Sequence, residues 1–202
     1  MKKTFLLALL ALVTTTGFSQ TLGIKGGATY YTFSGSDAKD YEYRLGYTAG
    51  VMIQQHINDL VGVQLEALYT SKGGKIEYTS GNNEVQSSHR LSYLDVPLLL
   101  HLSSSGLFFD LGPQVSFIAK GRHVRETTSG TTTTTTKTDI TDQPYSIDFG
   151  YVAGLGYRAS SGIGLELRYN GGLKTIDDEG LSEDIKRRNS GFNLMLSYML
   201  GH

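Results

Sequence analysis

The sequence predicts an all-β fold: an eight-stranded antiparallel up-and-down transmembrane β-barrel, preceded by a cleavable signal peptide. Three observations predict it. Eight runs alternate bulky apolar residues with small or polar ones; the connections between them alternate short and long; and the charges keep to one face of the runs while aromatic residues collect at the ends of the other.

Residues 1–19 have the three parts of a secretory signal, with Lys2 and Lys3 first, an apolar run over 5–13, and small residues ending at Gly17-Phe18-Ser19. Cleavage before Gln20 is expected to leave 202 − 19 = 183 residues, 20–202, as one barrel domain. The apolar run is too short to span a bilayer as a helix, and no later stretch approaches the roughly 20 apolar residues that a membrane helix needs.

The eight runs are 22–31, 44–55, 60–70, 91–102, 107–120, 147–158, 163–173 and 190–200. Period-two alternation over such lengths marks strands with two different faces. Most exceed an ordinary soluble strand and match the roughly 9–11 residues of a tilted membrane strand. Residues 56–59, 103–106 and 159–162 are read as short turns. The other connections, 32–43, 71–90, 121–146 and 174–189, are read as loops of 12, 20, 26 and 16 residues. Short turns at one end and long loops at the other are the pattern of periplasmic turns and extracellular loops.

Which face points inward follows from charge, size and aromatic placement. Ten charged residues share the polar face: Lys25, Arg44, Glu66, Asp95, Asp110, Lys120, Asp148, Arg158, Glu166 and Arg168. Five acids and five bases can neutralise one another in a closed lumen, whereas one charge facing lipid near the midplane costs about 2–4 kcal/mol. The polar face also holds most strand glycines, Gly27, Gly50, Gly112 and Gly154 among them, which make room inside a narrow barrel. The apolar face carries Leu45, Val51, Ile53, Leu94, Leu98 and Leu100. Its aromatics fall into two girdles, with Tyr30, Tyr47, Tyr69, Phe117, Phe149, Tyr151, Tyr169 and Phe192 near the long loops, and Phe109, Tyr157 and Tyr198 near the short turns.

Composition narrows the function. Net charge is −1 without a block of five like charges, so no nucleic-acid partner is expected. An exported chain with no cysteine has no disulfide framework and must draw its stability from burial or from a membrane.

Several stretches resemble a known family: Gly23-Ile24-Lys25-Gly26-Gly27, Leu65-Glu66-Ala67-Leu68-Tyr69 followed by Lys72-Gly73-Gly74, Tyr93-Leu94-Asp95-Val96-Pro97-Leu98, and Phe109-Asp110-Leu111-Gly112-Pro113. They are similar to the small outer-membrane β-barrel family abundant in Bacteroidota, described as porin-family or PorT-like. The resemblance covers nearly the whole mature chain and implies a fold and an outer-membrane location; PorT itself is linked to protein secretion. Ser190-Gly191-Phe192-Asn193-Leu194-Met195-Leu196 also resembles a terminal-strand signal for the barrel-assembly machinery, although the chain ends Leu200-Gly201-His202 without the usual aromatic.

The lumen acids could be read as catalytic carboxylates, but pairing with the five lumen bases is the expected role of all ten residues. His56, His89, His101, His123 and His202 lack metal-ligand spacing and are assigned to opposite ends of the barrel, so neither a metal nor a cofactor is expected. Gly154-Leu155-Gly156 and Gly162-Ile163-Gly164 lack the third glycine and the following helix of a nucleotide loop. The threonine run 131–136 reads as a solvated loop tip, and Lys186-Arg187-Arg188 as a solvated charge run balanced by Asp177, Asp178, Glu179, Glu183 and Asp184. The expectation is therefore a monomeric, non-enzymatic barrel with a side-chain-filled lumen and a structural or surface-interaction role. Its expected partners are outer-membrane lipid, the assembly machinery during insertion, and a surface partner through loops 121–146 and 174–189. A narrow transport or secretion-accessory barrel is the alternative, and a lipid-modifying enzyme a more distant one.

Overall fold

The computed structural model describes residues 20–36, 38–81, 83–141, 146–176 and 187–200. The expected signal peptide, 1–19, lies outside them, as do His202, Lys186 and the acids from Asp177 to Asp184. Among the described residues there are nine strands: β1 (Gln20–Ser34), β2 (Glu42–His56), β3 (Val61–Ser80), β4 (Asn83–Ser104), β5 (Leu107–Ser129), β6 (Thr132–Asp139), β7 (Ile147–Arg158), β8 (Ile163–Gly172) and β9 (Arg188–Leu200).

Eight of them close a ring. Sequence neighbours pair antiparallel from β1 to β5, β5 pairs with β7, and β7, β8 and β9 continue until β9 returns to β1, from Leu22 opposite Leu200 to Ser34 opposite Arg188. Closure satisfies the backbone groups that an open edge would strand in hydrocarbon at several kcal/mol each. β6 stands outside the ring and pairs with the outer half of β5 alone.

The alternation in the sequence becomes an inversion of the usual core. Leu45 is 70% and Leu196 61% exposed on the outer face, whereas Lys25 is 4% and Arg168 0% exposed in the lumen. Leu22, Ile24, Leu98, Leu107, Leu155, Leu165 and Leu167 continue the exposed belt around the cylinder. Water tolerates patches of a few hundred Å², not a continuous apolar belt, so the solvent of this surface is lipid. Exposed aromatics border the belt, with Tyr30, Tyr47, Tyr69, Phe149, Tyr151 and Phe192 at one end and Phe109, Tyr157 and Tyr198 at the other. At the first border rings meet across strands, as Tyr169 does with Phe192 at 5.2 Å.

The short turns fall where the sequence put them, and one is tighter. Ser105 and Gly106 alone link β4 to β5, both with positive φ (52° and 86°), the geometry of a two-residue hairpin whose twist matches its strands. The long connections differ more. Residues 71–90 are not a loop: β3 and β4 continue as a ladder to Ser80 opposite Asn83. Residues 121–146 are largely the outer half of β5 and β6, and the threonine run is strand from Thr132 on, with only Thr131 in the turn at the tip. In water both faces of these extensions can be polar, so the alternation that marks a membrane strand fades although the hydrogen-bonded ladder continues.

Above the barrel a second core has the ordinary sense. Phe33, Ala38, Leu91, Tyr93, Ile140 and Ile176 cluster with Tyr41 and Ile118, so the connections at the long-hairpin end fold over the mouth of the lumen. Arg187 lies over the rings of Phe33 and Tyr41 at 5.6 and 5.5 Å and donates to the Tyr41 hydroxyl at 2.6 Å, so it belongs to this cap and not to a solvated charge run.

Inward glycines are required mainly by neighbouring backbone. A β-carbon at Gly27 would overlap the Leu194 carbonyl and the Met195 Cα, whereas one at adjacent Gly26, on the outer face, would meet nothing nearer than the Thr48 carbonyl at 3.4 Å. Gly27→Ala is expected to destabilise the barrel by about 1–3 kcal/mol and Gly26→Ala to be nearly neutral, measured by urea unfolding of protein refolded into phospholipid vesicles. Equal effects would contradict the assignment of faces.

Candidate functional site

The lumen holds the densest polar constellation among the described residues, and it is stacked in layers along the axis. In the middle layer Arg168 on β8 donates to both oxygens of Glu66 on β3 (Nη1–Oε2 2.6 Å, Nη2–Oε1 2.9 Å) and through Nε to Glu166 Oε1 at 2.6 Å. Lys25 on β1 bridges the same two acids, 2.7 Å from Glu66 Oε1 and 2.7 Å from Glu166 Oε2. Gln64 donates to Glu66 at 2.6 Å, and Asp110 on β5 lies 3.8 Å from Arg168 Nη2. Strands on opposite sides of the ring are thereby tied through its centre. Each charge is stripped of water, so the attraction is tolerable only because the pairs are multiple and well aligned.

Toward the short turns, His101 Nδ1 lies 2.6 Å from Asp110 Oδ1, its ring 5.2 Å from that of Phe108. Arg158 is half-buried there, donating to Gln54 Oε1 at 2.9 Å and lying 5.2 Å from the Phe108 ring. Toward the long hairpins, Lys72 makes an ion contact with Asp95 at 2.8 Å, donates to Ser116 at 3.1 Å, and lies 4.9 Å from the Tyr93 ring. Asp148 accepts from Asn189 Nδ2 at 2.9 Å. A void of about 10 Å³ beside Tyr31, Lys72, Asp148 and Asn189 is room for about one water, and among the described residues Asp148 Oδ1 and Asn189 Oδ1 have no hydrogen-bond partner.

Of the ten residues expected to line the lumen, Lys25, Glu66, Asp95, Asp110, Asp148, Glu166 and Arg168 are buried there. Arg158 closes the short-turn end, bonded to an amide and not to an acid. Arg44 is half-buried at the rim and donates to Ser71 Oγ and the Lys72 carbonyl, again without an acid. Lys120 contradicts the expectation and faces outward. Ser92 pairs with Lys120 but Tyr93 with Ile118, leaving Ala119 as an extra residue that reverses the faces of β5 beyond it. Lys72, within the expected loop 71–90, stands in the lumen at that level instead. His101 was also missed; its alternation with Asp95 and Leu99 along β4 was the available signal. Met52, Leu68, Leu99, Val152 and Met195 are buried on inward faces as well, so the lumen is not wholly polar.

The histidines near the long-hairpin end have more context than the sequence suggested. His89 stacks on His123 at 4.7 Å, and His123 Nε2 lies 2.6 Å from Ser87 Oγ. Burial and Arg125 hold the His123 imidazole below its ordinary proton affinity. Among the described residues no carboxylate is hydrogen-bonded to this imidazole. Nor do three or more His, Cys, Asp or Glu converge as a metal site among the described residues.

Arg168→Met removes the central cation at similar volume and leaves two buried carboxylates to share Lys25 alone. It is expected to cost about 3–5 kcal/mol in urea unfolding, and adding Glu66→Gln should recover part of that loss. A cost below about 1 kcal/mol would show that the network carries no strain when broken.

Solved structures with a similar course of chain include Neisserial surface protein A (13% identity, 89% of this chain and 98% of that chain covered, TM-score 0.46). They also include Ail, the attachment invasion locus protein of Yersinia pestis (12% identity, 90% and 99% covered, TM-score 0.46). A third is the outer membrane protease OmpT from Escherichia coli (10% identity, 93% and 99% covered, TM-score 0.40). No curated protein matches the sequence. The family described as outer membrane protein beta-barrel domain matches residues 18–178, most of the chain. With a closed ring, a lipid-solvated exterior and that match, the chain belongs to the outer membrane protein beta-barrel domain family and resides in the outer membrane.

Proposed function

We propose that the protein is a non-conducting surface-interaction barrel whose long hairpins, exposed outside the cell, form its contact surface. The observation that carries this reading is the sheet formed by the outer parts of β3, β4, β5 and β6, which rises beyond the aromatic border and, among the described residues, leaves β6 without a neighbour on its far side. All eight residues of β6 are exposed, and the run Thr132 to Thr136 combines high β-propensity with no charge and no proline. An edge of that kind can add a strand from a partner, main chain to main chain. The expected contact through loop 121–146 is thereby sharpened to a strand edge, while most of the expected contact through 174–189 lies outside the described residues.

A transport role is disfavoured by the lumen, which the Arg168–Glu66–Lys25–Glu166 network crosses and the Phe33–Leu91–Ile176 cluster covers. Eight-stranded barrels are filled by side chains in any case. The secretion-accessory role implied by the PorT-like resemblance remains the second reading, since it requires no open lumen. A lipid-modifying activity has only the Ser87–His123 contact in its favour.

Two measurements test the proposal. In planar bilayers the purified protein is expected to give no steady open-channel steps; regular steps would refute the filled lumen. A variant with residues 124–137 replaced by a short Gly-Ser turn is expected to keep the boiling-dependent gel shift of a folded barrel and to lose cell-to-cell or cell-to-surface adhesion. Unchanged adhesion would overturn the role given to β6.

A further inference from the structure

The outward face of the protruding sheet carries a cluster of cations just above the lipid belt. Beyond Leu94 opposite Phe117, at the border of the lipid belt, come Ser92 opposite Lys120 and then Arg90 opposite Arg122. The bulge at Ala119 turns Lys120 and Arg122 to the same outer side as Leu94. The next row holds Lys75 and Lys137, on either side of Ser88 and Val124. Acids stand beside and above these rows: Asp139 opposite Arg122, Glu42 opposite Lys75, then Glu77 and Glu126 in one row and Glu84 in the next.

Arg90, Lys120 and Arg122 are all exposed, and none of their side chains makes a hydrogen bond or ion pair among the described residues. Lys75, by contrast, is held by Glu42 and Glu77 at 3.2 and 2.8 Å. Arg90 lies close enough to Arg44 for the two cations to repel. Asp139, opposite Arg122 on β6, stands beside the triplet, and its Oδ1 accepts from the Thr141 hydroxyl at 2.6 Å and the Thr141 amide at 3.0 Å. Those bonds, with Lys120 and Arg122 nearby, hold the Asp139 carboxyl below the usual carboxylate range. Three cations thus face one carboxylate among the described residues, which leaves an excess of positive charge.

Their height identifies the anion. Along a strand rising about 3.3 Å per residue and tilted by about 40°, Lys120 stands about 5 Å and Arg90 and Arg122 about 10 Å above Leu94. The headgroup zone outside the hydrocarbon is roughly 5–8 Å deep on each side. Long side chains reach across the difference with their stems along apolar surface. We propose that Arg90, Lys120 and Arg122 form a site for the phosphate groups of an outer-leaflet glycolipid, gripping the membrane on the side where the sheet rises. The site rests only on the orientation that puts the long hairpins outside, not on the adhesive role of β6.

The test uses full-length protein refolded in detergent and mixed with diphosphoryl lipid A, with bound lipid read by native mass spectrometry. Wild type is expected to retain diphosphoryl lipid A, and monophosphoryl lipid A more weakly. The triple variant R90Q/K120Q/R122Q is expected to lose roughly 100-fold in retention, about fivefold per cation removed, while keeping its boiling-dependent gel shift. Lys39→Gln, an exposed charge elsewhere, should behave as wild type. Inorganic phosphate is expected not to displace the lipid. Equal retention by the triple variant, or displacement by inorganic phosphate, which would make the site one for free anions, overturns the proposal.

Discussion

Each strand of the ring is committed to one register by the charge it carries inward. Side chains alternate with period two, so a slip of one residue in β8 would send Glu166 and Arg168 into hydrocarbon and bring Leu165 and Leu167 into the lumen. The penalty, about 2–4 kcal/mol for a cation near the midplane, exceeds what any single cross-strand pair contributes. Buried ion pairs are seldom net sources of stability compared with apolar packing. Here their larger effect is selective: Arg168, Lys25, Glu66 and Glu166 can meet only when β1, β3 and β8 are all in register.

The molecule is built in two solvents, and its irregularities lie where one gives way to the other. Below that level bulky side chains face out and charges face in. Above it Phe33, Leu91 and Ile176 form a core of the usual kind beneath polar hairpins. Both register shifts, between Tyr43 and Thr48 on β2 and at Ala119 on β5, fall near the boundary. Lys72 and Tyr93 mark it inside: the cation pairs downward with Asp95 while the ring joins the cap above.

What the sequence disclosed was whatever lipid imposes. Leu94, Val96, Leu98 and Leu100 must alternate with Asp95, Leu99 and His101 because one side meets hydrocarbon, and the strand and its facing could both be read from that. Where water replaced lipid the rule lapsed: residues 71–90 and 121–139 form ladders whose Ser, Thr and Glu residues suit either face, and they read as loops. Lys120 was misplaced because one extra residue, Ala119, reverses parity without leaving a signature in composition. Lys72 was missed for the opposite reason, as its strand runs on past the point where alternation faded. The lumen network was legible as an inventory of acids and bases, but its pairings depend on strands far apart in sequence.

The seam of the cylinder joins β1 to β9, with Leu22 beside Leu200. These are the most distant partners the described chain could choose, so the loop that must close before they meet is nearly the whole polypeptide, and the entropy of that closure is met late. Until the final strand arrives, β1 presents a raw edge with unpaired amides and carbonyls, unfit for a bilayer and prone to pairing with the wrong neighbour. Growth strand by strand into the membrane would leave that edge in hydrocarbon throughout. Closure of the seam is therefore the event that makes the whole cylinder fit for hydrocarbon, and the two ends of the chain carry it.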